Sequence, residues 1–134
     1  MEETLVFIKP DGVKRGLVGQ VLARFEARGF EVKALKMAHL TDEQCDYHYH
    51  EHVSKPFYPN LKNYIKSGPV VLMVLRAEGV IDMVRQMLGA TDASKAAPGT
   101  IRGDFARSTS ENIVHASDSA KSAAREIDHF FKPY

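Results

Sequence analysis

The chain has 134 residues, 44% hydrophobic and 26% charged, the balance of an ordinary globule long enough to bury a core. Its formal net charge of +1 argues against broad electrostatic capture of nucleic acid or of an anionic membrane surface. Cys45 is the single cysteine, which excludes an intramolecular disulfide and suits a reducing, cytoplasmic setting. Met1-Glu2-Glu3-Thr4 carries acid where a secretory leader would carry base, and the longest apolar run, Val70 to Leu75, is too short to span a bilayer.

Thr4 to Ile8 is an apolar, β-branched run closed by Pro10-Asp11-Gly12, the pattern of a buried strand. Val18, Val21, Leu22 and Phe25 recur at helical spacing, with Gly29 placed to end the helix. From Phe30 to Ala34 apolar and polar residues alternate; from Leu35 to Met37 they alternate in the opposite phase. A strand with a bulge near Ala34 accounts for the slip. Thr41-Asp42-Glu43-Gln44 is a capping box opening a helix to Tyr47 or beyond. Pro56 and Pro59 break the next stretch, and a short helix is expected over residues 61–66. Val70 to Leu75 reads as a fully buried strand, and Val80, Val84, Met87 and Leu88 mark a helix stopped by Gly89. Residues 91–103 are small and polar and predict a long, functional loop. Residues 113–116 form a short strand, and Ser117-Asp118-Ser119 caps a last helix with an apolar stripe of Ala120, Ala123, Ala124, Ile127 and Phe131. No repeat or linker divides the chain, so residues 1–134 are expected to form one domain. The order predicts an α+β fold: a ferredoxin-like βαββαβ antiparallel sheet with helices packed on one face.

Several side chains could carry chemistry, each with a plainer alternative. His115 stands where a strand gives way to a helix N-terminus, a place that attracts phosphate, and a neutral imidazole is a nucleophile near neutral pH. The alternative is a histidine that only closes the strand. A carboxylate beside it would favour the first reading, and Glu126 can supply one if the last helix folds back. Lys9 follows the first strand and can meet a phosphate or simply face water; G-x-x-x-x-G-K-[ST] is missing, so this is no P-loop. Arg85 and Arg102, with Lys9, would grip a polyphosphate, though Arg85 can equally pair with Asp82. His48, His50 and His52 have a spacing that allows metal ligation or a merely polar surface. Phe57 and Leu61, one turn apart, can clamp a base or pin a helix to the core.

Three stretches together resemble the nucleoside diphosphate kinases: residues 4–13 (TLVFIKPDGV), residues 98–105 (PGTIRGDF) and residues 112–119 (NIVHASDS). The resemblance runs in order from about residue 4 to residue 131. It implies transfer of a γ-phosphoryl group from a nucleoside triphosphate to a nucleoside diphosphate through a phosphorylated His115, one site serving both substrates. It places Lys9, Tyr49, Asn112, Ser117 and Glu126 around that histidine, with Ser117 and Glu126 orienting the ring. It puts Lys9, Arg85, Thr91, Arg102 and Asn112 on the nucleotide, with Phe57 stacking on the base and Leu61 lining it. Mg2+ is implied on the phosphates, with Asp118 reaching it through water. A homo-oligomer is implied too, a hexamer in preference to a tetramer. Two departures stand out: Asp92-Ala93 replaces a usual Asn-Pro in a loop of subunit contacts, and Ala116 replaces a common glycine. The rivals are a non-catalytic nucleotide-sensing module of the same fold, which has no need of His115, and a metal-binding protein built on His48 to His52.

Overall fold

In a computed structural model, which describes residues 1–131, the chain runs β1 (Glu2–Ile8), α1 (Pro10–Lys14), α2 (Val18–Ala27), β2 (Glu31–Ala38), α3 (Asp42–His48), α4 (Tyr58–Ile65), β3 (Val70–Ala77), α5 (Val80–Leu88), a 3-10 turn (Ala93–Lys95), α6 (Ile101–Phe105), β4 (Val114–Ala116) and α7 (Ala120–Phe131). The four strands lie in the order β2-β3-β1-β4, antiparallel at each pairing. With α2 and α5 as the crossovers, this is the ferredoxin-like arrangement the pattern predicted.

The expectation of helices on one face needs correction. Leu5, Val6, Phe7 and Ile8 are all inaccessible, as are Leu72, Met73, Val74 and Leu75 of β3. Successive strand residues point to opposite faces, so both faces of the central strands are covered. This is also why they read as continuous apolar runs. One side of β1 meets α5; α7 packs on the strand as well, and Phe7 meets the rings of His48 and His115. Gly29, at φ +90°, ends α2 in a conformation that a side chain would strain.

The phase slip in β2 is a real bulge: its register against β3 shifts between Val32 and Ala34. The bulge leaves Leu35 and Met37 on the outer strand with 49% and 60% of their surfaces exposed. The capping box also forms, with Thr41 Oγ1 accepting from Gln44 N at 3.1 Å and Gln44 Oε1 accepting from Thr41 N at 3.0 Å. Thr41→Ala therefore costs about 1 kcal/mol of stability in denaturant unfolding and leaves turnover per folded molecule unchanged.

Three local expectations miss. Pro10 does not merely stop β1 but sits in the first turn of α1, where its missing N–H costs nothing. Pro59 likewise lies inside the first turn of α4, so that helix begins at Tyr58 rather than residue 61. The loop of residues 91–103 is structured: Asp92 caps the 3-10 turn by accepting from Ser94 N at 3.0 Å, and Thr100 Oγ1 caps α6 by accepting from Gly103 N at 3.0 Å. The unusual Asp92-Ala93 thus builds a local cap of its own. Ala116 is buried in β4 without a positive φ, so glycine is not required there.

Candidate active site

β4 pairs with β1 so that His115 stands opposite Phe7, and α7 folds back over both. Glu126 is thereby brought to the imidazole, its Oε1 lying 3.4 Å from His115 Nε2. The buried face of α7 is Ala123, Glu126, Ile127 and Phe130, whereas Ala120 and Ala124 are exposed. The predicted stripe was therefore rotated. A carboxylate belongs inside because it has partners: Ser117 Oγ donates to the same Oε1 at 2.7 Å. Ser117 accepts from Leu5 N at 3.2 Å, which ties this group to the sheet. So Glu126 touches the ring, and Ser117 touches Glu126. A carboxylate facing Nε2 favours the tautomer with its proton there, which would leave the Nδ1 lone pair free. The His115 side chain remains 29% exposed, enough for a phosphate to reach it.

The chain leading into His115 is held under strain. Ile113, β-branched, has φ +77°, a conformation that costs on the order of 1–3 kcal/mol. Its N–H donates to Asp11 Oδ2 at 3.0 Å and its carbonyl accepts from Lys9 N at 2.7 Å. The other oxygen of Asp11 accepts from the Tyr64 hydroxyl. Asp11, Tyr64 and Ile113 are the residues that sequence reasoning missed here, although Asp11 lay in view within the Lys-Pro-Asp-Gly run.

A cleft of about 770 Å³ opens on one side of His115, lined by Lys9, Tyr49, Phe57, Leu61, Thr91 and Asn112 among others. All six were expected at the site. Phe57 and Leu61 project from the start of α4, which is locked to α3 by Tyr58 Oη donating to Asp46 Oδ1 at 2.7 Å. Phe57 is half exposed at 50%, the state expected of a ring waiting for a planar partner. Asn112 is buried and bridges two neighbours: its Oδ1 accepts from Lys9 Nζ at 2.7 Å and its Nδ2 donates to the Thr91 carbonyl at 3.2 Å. Burial pushes the Tyr49 phenol well above its usual range, so it is a neutral hydroxyl.

Arg85 and Arg102 stand outside the lining of that cleft. Arg102 is buried and donates to the carbonyls of Gly89 at 2.9 Å and Val114 at 2.7 Å, holding the loop to β4. Arg85 donates to the Ala116 carbonyl at 3.3 Å, on the strand rather than to Asp82. The three cations still feel one another. Burial and then the charge of Arg102 bring Lys9 down to about 8; burial and then Arg85 bring Arg102 down to about 10. Cations pressed together in this way form a ready receptor for a polyanion.

The depressed Lys9 value has a pH consequence. Above about pH 8 its ammonium is lost, so triphosphate affinity is expected to fall as pH rises through 8, and Lys9→Met is expected to flatten that profile. Binding a polyanion restores the proton, so titration calorimetry in two buffers reads proton uptake above pH 8. The sign for folding is opposite. The folded value lies below the unfolded one near 10.5, so the unfolded chain holds more protons between 8 and 10.5, and stability of the free protein rises across that window.

The predicted histidine cluster does not assemble as such. α3 ends at His48, which is buried, while His50 is exposed beside Glu51. His48 instead packs edge-on against His115, with ring centroids 4.8 Å apart and an interplanar angle of 86°. Burial above all holds its pKa well below the usual histidine value, so it is neutral at pH 7.

An antiparallel ferredoxin-like sheet that presents an imidazole, backed by a carboxylate and neighboured by cations, to a nucleotide-sized cleft defines a phosphotransferase. The sequence profile of the nucleoside diphosphate kinases matches residues 2–134, and the chain belongs to that family, whose members pass the γ-phosphoryl group of a nucleoside triphosphate to a nucleoside diphosphate by a ping-pong route. Similar to it is the nucleoside diphosphate kinase of Thermus thermophilus, 55% identical over 133 residues, covering 99% of this chain and 97% of the relative. That of Moorella thermoacetica is 56% identical over 133 residues, covering 99% and 96%. A crystal structure of a nucleoside diphosphate kinase family protein from Babesia bovis superposes with a TM-score of 0.96 at 45% identity, over 99% of this chain and 90% of the other.

Proposed function

We propose that the transfer runs through a phosphohistidine formed at Nδ1 of His115. The observation that carries this is the Glu126 carboxylate 3.4 Å from Nε2, which leaves Nδ1 as the nitrogen with a free lone pair. In the first half-reaction that lone pair attacks the γ-phosphorus, the bond to the bridging oxygen breaks, and the nucleoside diphosphate departs. In the second, a terminal oxygen of the acceptor diphosphate attacks the phosphohistidine and the N–P bond breaks. Positive charge develops on the imidazole as the N–P bond forms, and Glu126, fixed by Ser117, opposes it. Lys9 meets the phosphates, positioned by Asn112, with Thr91 and the Tyr49 hydroxyl beside it; Arg102 and Arg85, held on the carbonyls of β4 and the neighbouring loop, add charge to the same grip. Phe57 stacks on the base and Leu61 lines it. Such contacts read no base edge and suit broad base and sugar tolerance.

Mg2+ belongs on the phosphates. Of the carboxylates near His115, Glu126 is buried against Ser117, and Asp118 is exposed, kept below the usual carboxylate range by a hydrogen bond from Ser122 above all. Asp118 would meet such an ion through water, and this donor set suits a cation carried in by the nucleotide rather than a protein cage. Bound with the nucleotide, the ion would supply positive charge against the transferring phosphoryl group. Among the described residues no helix is long and apolar enough to cross a membrane. A cytoplasmic homo-oligomer, a hexamer in preference to a tetramer, completes the reading; the open edge of β2 with exposed Leu35 and Met37 supports association, and light scattering reads the mass.

The assignment is tested by phosphorus NMR of the protein after reaction with ATP, at alkaline pH. The signal of Nδ1-phosphohistidine is expected. Phosphorylation at Nε2, or on a residue other than His115, would overturn it.

A further inference from the structure

We propose that His48, His115 and Glu126 form a binding site for a transition-metal ion of the Zn2+ type, and that a metal held there shuts down phosphoryl transfer. The second half rests on His115 being the nucleophile; the binding itself does not.

The donors are already gathered. One ring nitrogen of each histidine and one oxygen of Glu126 all lie within 4.8 Å of one another. Two donors on a tetrahedral zinc, each about 2.0–2.1 Å from the metal, sit about 3.4 Å apart. His115 Nε2 and Glu126 Oε1 are 3.4 Å apart before any metal arrives. His48 needs only a small closure to join them.

His48 also presents an unsolved polar problem. It is 8% exposed, and its Nδ1 is buried with no hydrogen-bond partner among the described residues. A buried ring nitrogen without a partner is costly and uncommon. The phosphotransfer scheme gives it no task.

Access exists as well. A second cleft, about 200 Å³, adjoins the nucleotide cleft at Tyr49, His52 and His115; it is lined by His48, His115 and Glu126 together with His50, Asp118 and Arg125. It leads a metal to the cluster and leaves room for water as a fourth ligand. Asp118 favours a cation there and Arg125 opposes one. The guanidinium of Arg125 is engaged elsewhere, donating to the Tyr47 carbonyl and lying 4.1 Å from the centre of the Tyr47 ring. Two imidazoles and a carboxylate suit Zn2+, Co2+ or Ni2+, whereas Mg2+ prefers oxygen donors and several waters. The cation that accompanies the nucleotide therefore does not compete.

Binding replaces the Nε2 proton with the metal, and that proton leaves to solvent. The metal draws electron density from the ring, so Nδ1 becomes a poorer nucleophile. It also takes the Glu126 oxygen that would oppose developing charge.

The test is calorimetric titration of metal-stripped protein with Zn2+, without nucleotide. About one ion per chain is expected, with affinity falling on the order of tenfold or more in His48→Gln and, independently, in Glu126→Gln. His50→Gln, an exposed histidine that lines the same cleft but is not one of the three gathered donors, should bind as the wild type does, and so should His39→Gln, which lies outside the cleft. In kinase assays with excess Mg2+, Zn2+ should inhibit, a chelator should restore turnover, and His48→Gln should need correspondingly more Zn2+. No stoichiometric binding, or binding that survives His48→Gln and Glu126→Gln but is lost in His50→Gln, would overturn the site. Stoichiometric binding without inhibition would overturn its effect on catalysis. Because the titration contains no nucleotide, it stands or falls separately from the phosphohistidine assignment.

Discussion

Replacing His115 with alanine is expected to lower turnover by about ten-thousandfold or more while nucleotide binding survives. The size follows from the proposed mechanism, in which no covalent intermediate forms without Nδ1 and the remaining groups only position reactants. Binding survives because its parts are anchored independently. Lys9 is held by Asn112, Phe57 and Leu61 by α4, and Arg102 by the Gly89 and Val114 carbonyls. Turnover by coupled assay and affinity by calorimetry separate the two effects. Loss of both together would mean that the substitution had collapsed β4 and the strained Ile113 segment, and denaturant unfolding would show it.

The second large effect is on folding. Gly103 lies in α6, where a Cβ would come within 1.9 Å of the Ala97 oxygen, 2.5 Å of the Ala97 carbonyl carbon and 2.7 Å of Thr100 Oγ1. The first two are backbone atoms and cannot swing aside. They belong to a knot that closes the loop: Thr100 N donates to the Ala97 carbonyl at 3.1 Å, Gly99 N to Asp104 Oδ1 at 2.9 Å, and Arg24 clamps Asp104 Oδ2 at 2.6 Å. Gly103→Ala must open this knot, at a cost of about 3 kcal/mol. Arg102, the preceding residue, would then be pulled from its two carbonyls, so activity should fall along with stability. An unchanged midpoint in denaturant unfolding would show that the loop relaxes more freely than its hydrogen bonds suggest.

The sheet was legible for a physical reason. β1 and β3 are buried on both faces, so their residues form unbroken apolar runs. The bulge in β2 reversed the alternation in plain view. Where one local interaction decides structure, sequence spoke clearly, as at Thr41 and Gln44. The five-residue helices α1 and α6 were not legible, because α1 opens on a proline with no side-chain cap, α6 opens on the single Thr100 cap, and neither is long enough to show periodicity. The inward face of α7 was misread for a different reason. Apolar patterning cannot see that a glutamate belongs inside until Ser117 and His115, from another element, come to meet it. The candidate site shows the same division. Resemblance named its residues, yet it could not say that Nε2 faces Glu126, that Ser117 touches that carboxylate, or that Arg102 spends two donors on the backbone. Nor could spacing show that His48 leaves its neighbours in the His-rich run and packs on His115.

The central claim is a phosphoryl group carried covalently on His115. Intact mass of the purified protein, recorded under alkaline conditions after incubation with ATP and Mg2+, tests it most directly. A single added phosphoryl group is expected, one that acid or added ADP removes and that His115→Ala never acquires. Nucleotide bound without any such adduct, or an adduct that persists in His115→Ala, would contradict it.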